Sequence, residues 1–260
     1  MGRNKDEHGR AGRRRPGAWG LAGGGLLVGM VGAQVVSGVR PRPVKLTSVV
    51  VGLLGGSAGA FLAGRHGARR AAGAFGAATA LGYAAEWVGV RAGVPFGRYS
   101  YTPVLRPQAG GVPVIVAVAW GGMGPAAHAA ATEIVPGGGP ARWAVGAAAL
   151  TAWDLFLDPQ MLRLGLWTWE GGGPYRGVPV SNFAGWFAVS LLLMAVVEAS
   201  AGRTAPPASG GLLTIYTVMA AMETLAFAAV FDPPDRLVAA AGGAAMGTFA
   251  ALAWRARWRR

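Results

Sequence analysis

No cysteine occurs in the 260 residues, which removes thiol nucleophiles, thiolate metal sites and disulfides together. Histidine is almost as scarce, with three copies, one of them in the leading tail. A histidine metal cage is therefore not expected. Charge is thin as well: 13% of the residues are charged, against about 25% in an ordinary soluble domain. Neither glycine-rich turn leads into the Gly-Lys-Ser or Gly-Lys-Thr of a phosphate loop, and no HExxH or GxSxG occurs, so the common routes to phosphate binding, zinc proteolysis and serine hydrolysis are missing.

What is there is oil. Hydrophobic residues make up 53% of the chain and glycine contributes 44 positions, small residues of the kind that let helices approach closely in a bilayer. Runs long enough to cross hydrocarbon, which takes about 20 residues, fall at 18–39, 45–63, 71–90, 112–135, 142–162, 180–201, 211–231 and 236–254. The expected fold is all-α, a polytopic membrane bundle of about eight helices. A basic, disordered tail is expected over 1–17, one transmembrane domain over 18–254, and a basic C-terminal tail over 255–260.

The formal net charge of +13 does not point to nucleic acid, because the arginines sit in the tails and in the gaps between apolar runs. That placement suits lipid headgroups and topology. With eight spans, fifteen Lys and Arg fall on the side of the two termini and nine on the other, which places both termini in the cytoplasm of a bacterial or archaeal cell.

Alternation of the spans carries particular side chains to one leaflet. Glu86 falls near the end of the third span, Asp154 and Asp158 in the outer half of the fifth, Asn182 and Trp186 at the start of the sixth, and Glu223 within the seventh. The loops 91–111 and 163–179 cover the same face. Asp154 and Asp158 are one helical turn apart, and acids within the bilayer are costly enough to be functional by default. Held together in oil, they are expected to keep a proton between them near neutral pH. The plainer alternatives are a helix-end pair facing water, since Pro159 follows, and a Glu86 paired with Arg91 or Arg98. Trp153, Trp167, Trp169, Tyr99, Tyr101 and Tyr175 crowd the same region, as an interfacial belt or as faces for a flat apolar ligand or a developing cation. Glu133 and Glu198, near the opposite helix ends, are expected to be interfacial or structural, and His128 to pack or hydrogen-bond.

Glu86, with PFGRYSYTP (95–103), VPVIVAVAW (112–120), DLFLDPQM (154–161) and WTWEGGGPYRGVPVSNFAGW (167–186) in that order, resembles the carotenoid 1′,2′-hydratases of the CruF type, including bisanhydrobacterioruberin hydratases. The resemblance covers about residues 71–235. It implies a hydro-lyase that adds water across the terminal double bond of an acyclic end group on a long carotenoid, without cofactor or metal, in contact with membrane lipid and with other membrane enzymes of the pathway as candidate partners. The chemistry requires an acid against one alkene carbon, a water against the other and cation-stabilising faces between. Asp154 or Asp158 is expected to donate the proton. Glu86 and the other aspartate would orient water, with Asn182 holding the network, and the aromatic residues and Glu223 would line the end-group pocket. A carotene cyclase or isomerase would begin with the same protonation, and a proton-coupled transporter would also explain buried acids.

Overall fold

The computed structural model describes residues 17–39, 44–202 and 206–260; the expected N-terminal tail lies outside them except for Gly17. Eight α-helices appear where the apolar runs place them: α1 Ala18–Val39, α2 Val44–His66, α3 Ala68–Ala92, α4 Val114–Ile134, α5 Gly139–Arg163, α6 Val180–Ala201, α7 Gly210–Leu225 and α8 Arg236–Trp258. Among the described residues six of these, with α7 continued through a further turn to Val230, are long and apolar enough to cross a membrane, and the chain is an integral membrane protein. The other two, α3 and α5, are 25 residues each but less apolar. They are the helices that bear Glu86, Asp154 and Asp158.

Helix α4 stands at the centre and packs against α2, α3, α5, α6, α7 and α8. Its sequence explains the position: a run of Gly and Ala through Gly121, Gly124 and Ala126–Ala131 leaves backbone on every side for neighbours to approach. Helix α6 lies against both α3 and α5, which brings the three polar-bearing helices side by side.

The two long loops do more than cover the bundle. Strand β1 (Tyr99–Tyr101) in the first pairs antiparallel with β4 (Trp167–Trp169) in the second, Tyr99 opposite Trp169 and Tyr101 opposite Trp167. YSY and WTW alternate with the period of a strand, so the rings turn inward while Ser100 and Thr168 stay exposed. A smaller hairpin joins β2 (Gln108–Ala109) to β3 (Val112–Pro113); its two-residue turn is Gly110–Gly111, both at positive φ, the geometry that favours glycine there.

Pro159 neither ends nor exposes α5, which continues to Arg163. Lacking an N–H, proline leaves the carbonyl four residues earlier without its helical donor, here Leu155. The Tyr175 hydroxyl supplies the bond at 3.0 Å, reaching in from the glycine-rich loop. Tyr175→Phe leaves that carbonyl unpaired, and it is expected to lower thermal stability in detergent by about 1–2 kcal/mol with no change in the acid site described below.

At the other end of the bundle, charges are neutralised in pairs. Glu133, at the end of α4, accepts from Arg257 at 2.8 Å, from the Ala208 N–H and from Arg260. Helix α8 runs on to Trp258, so residues 255–258 form its last turn and carry one of these arginines inward. Glu198, near the end of α6, accepts from Trp143 Nε1 at 2.9 Å and lies 3.7 Å from Arg142 and 3.8 Å from His128. Both glutamates tie helices together, the structural role their positions suggested.

Candidate acid site

Glu86 is 4% exposed and faces three donors. The hydroxyls of Tyr99 and Tyr101 both donate to its Oε2, the latter at 2.7 Å, and Trp120 Nε1 donates to Oε1 at 3.1 Å. Tyr99 and Tyr101 share a face because they are alternate residues of β1, and pairing with β4 holds that face over α3. Two glycines on α3 make room. A Cβ on Gly82 would lie 2.3 Å from Trp120 Cγ, and one on Gly89 would lie 2.8 Å from the Tyr99 hydroxyl, so each donor reaches Glu86 across a helix surface stripped to backbone. Neither arginine takes Glu86: Arg91 lies over the exposed Trp87 ring at 4.0 Å and donates to the Trp87 carbonyl.

Asp154 and Asp158 are buried side by side on α5, and the pair facing water is thereby ruled out. Asn182, in the first turn of α6, spans them: its Nδ2 donates to Asp154 Oδ2 at 2.7 Å and to Asp158 Oδ2 at 2.5 Å. One amide nitrogen thus holds an oxygen of each carboxyl group, so the two groups are close neighbours. Neighbouring carboxylates repel, and a carboxylate can accept but not donate, so such a pair is favoured when one member carries a proton. Among the described residues no Lys or Arg forms an ion pair with Glu86, Asp154 or Asp158.

Glu86, Asp158 and Asn182 border one small pocket of about 20 Å³, walled by Tyr99, Tyr101, Trp120, Trp167, Trp169 and Trp186. It has room for roughly one water molecule. Trp120 and Trp186 stack at 4.1 Å, Tyr101 meets Trp167 edge-on at 5.4 Å, and Tyr99 lies 5.7 Å from Trp169. Asp154 sits behind Asp158, joined to the space through Asn182.

Helices α3, α5 and α6 and the two long loops thus gather Glu86, Asp158, Asn182, Tyr99, Tyr101, Trp167, Trp169 and Trp186 around one point. Trp153 stands one ring away, edge-on to Trp186 at 6.2 Å. Tyr175 is not part of the pocket; it serves α5. Glu223 is also separate, buried in another cavity between α1, α2, α5 and α7. Trp120 is the participant that residue-by-residue reading left out: it closes the VPVIVAVAW run, and an indole alone among apolar residues gives no sign of which acid it will meet.

No curated protein and no solved structure matches the chain at a significant level. Residues 47–249, which include every member of this pocket, match the family described as Carotenoid biosynthesis protein. With the match extending over most of its length, the chain belongs to the carotenoid biosynthesis protein family.

Proposed function

We propose that the protein is a carotenoid hydratase, adding water across the terminal 1′,2′ double bond of an acyclic end group. The observation that carries this reading is the opposition, across a space the size of one water, of two differently supplied carboxyl centres. Glu86 receives three hydrogen bonds and is arranged as an acceptor. The Asp154–Asp158 pair shares one amide, and neighbouring buried carboxyl groups without a basic partner favour holding a proton between them.

Asp158 borders the space and Asp154 does not, which favours Asp158 as the donor. Its proton passes to the less substituted alkene carbon, and positive charge develops on the tertiary carbon next to it. Indole and phenol faces stabilise that charge without capturing it. Water bonds to the tertiary carbon as its excess proton moves to Glu86. Return of a proton from Glu86 to the aspartate pair restores the starting state, so the net change is one water added. The chain's own acids and one water account for every atom and charge.

Expression in a host that accumulates acyclic carotenes, followed by mass analysis of the pigments, tests the reading. The expected product is heavier than the parent by one water and carries a tertiary alcohol. An isomer of unchanged mass would identify a cyclase or isomerase instead, and unaltered pigment in every acyclic background would remove the proposal.

A further inference from the structure

An apolar cavity beside the acid site has polar atoms without a hydrogen-bond partner among the described residues. It lies between α1, α2, α5 and α7 and measures about 230 Å³. A second space of about 390 Å³ shares Ser37, Thr47 and Val230 with it and continues to Arg163 and Asp232. Its walls are mostly aliphatic and thioether, Val51 and Met219 among them. Set into them are Glu223, 6% exposed, whose Oε2 has no hydrogen-bond partner, the unpartnered Nε1 of Trp153, and the unpartnered Oε1 of Gln34. Buried polar atoms are nearly always paired. One donor and two acceptors around an otherwise greasy cleft match a group that both donates and accepts.

The cleft also adjoins the acid site. Leu157 belongs to the walls of both spaces, and Trp153, which lines the cleft, meets Trp186 of the acid site edge-on. The acid-site pocket itself holds about one water, so the bulk of a long chain has to lie elsewhere. One side of the cleft is formed by the π-helical turn Ala226–Val230 that ends α7, a widened geometry that is rare and tends to occur at functional sites.

We infer that this cleft seats a linear isoprenoid chain bearing a hydroxyl group, which Glu223 binds with Trp153. The chain lies along the apolar walls, and its end communicates with the acid site past Leu157. Glu223 accepts the hydroxyl proton while Trp153 donates to the oxygen. This deepens the hydration reading and rests on it for the source of the hydroxyl: the alcohol is the class of compound that the reaction yields.

Titration of purified protein in detergent micelles with an acyclic carotene and with its terminal tertiary alcohol, followed by quenching of tryptophan emission, tests the assignment without turnover. The alcohol is expected to bind about tenfold more tightly, the worth of one good hydrogen bond. Glu223→Gln should keep most of that preference. Glu223→Leu should abolish it while still binding the hydrocarbon, which also shows that the variant folds. Val51→Trp, which fills the cleft, should weaken both ligands. Equal affinities in the parent protein, a preference that survives Glu223→Leu, or undiminished binding by Val51→Trp would overturn the inference. Because no product need form, a preference found in a protein that hydrates nothing would uphold the cleft and remove the hydratase reading. Hydration without any preference would do the reverse.

Discussion

Asp158→Asn is expected to lower pigment conversion by about 10²–10⁴-fold, the range over which a positioned general acid acts, while leaving the protein folded. Asparagine has the shape of aspartic acid, and by turning its amide it can still accept from Asn182, so the contact between α5 and α6 survives. What it lacks is a proton it can release. Asp154→Asn is expected to cost less, about tenfold, because the donor Asp158 is retained and the new amide's carbonyl can still accept from Asn182. The double variant should then be no worse than Asp158→Asn alone, since residues acting as one unit are not additive. Initial rates on membranes containing equal amounts of each variant check the order. If Asp154→Asn proved the more damaging, the donor would be Asp154, and the geometry of the pocket would have been misjudged.

The helices were legible because bilayer thickness imposes a length and apolarity that few other constraints produce; all eight runs became helices, with ends shifted by a few residues. The convergence of Glu86, Asp154, Asp158 and Asn182 was legible for a related reason, as alternating spans fix depth even before packing is known. Depth does not fix azimuth. Glu223 lies in the same leaflet by sequence, yet its helix turns it into a different cavity. The partners of Glu86 were likewise out of reach, since Trp120 arrives from α4 and the two tyrosines from a ladder between segments 68 residues apart at its central pair, Ser100 and Thr168. YSY and WTW did carry the period-two signal of strands, but three residues are too few to separate it from chance. Tyr175 shows a different limit: its role follows from a missing N–H at Pro159, and which carbonyl would be orphaned was readable while which hydroxyl would answer it was not.

Glu86→Gln is expected to abolish conversion as thoroughly as Asp158→Asn, by about 10²-fold or more, and the reason lies in counting donors. The carboxyl group accepts from Tyr99, Tyr101 and Trp120 through two oxygens, whereas glutamine offers one oxygen and an N–H₂ that must itself donate. The Trp120 indole can only donate, so the glutamine oxygen has to face it. The N–H₂ then faces the tyrosines, whose hydroxyls can rotate and accept. This rearrangement keeps the hydrogen bonds largely intact, and the thermal midpoint in detergent should change little. The proton acceptor opposite Asp158 is nevertheless gone. Glu86→Asp gives the complementary control: it retains the acceptor but draws it back by one methylene, so partial activity is expected with weaker support from Tyr99 and Tyr101. Trp120→Phe in the Glu86→Gln background frees glutamine to turn its oxygen to the tyrosines, yet it should restore no activity if proton acceptance is the function of this position. Recovery in that double variant would instead make Glu86 a scaffold for the aromatic wall and leave the acceptor to be found elsewhere.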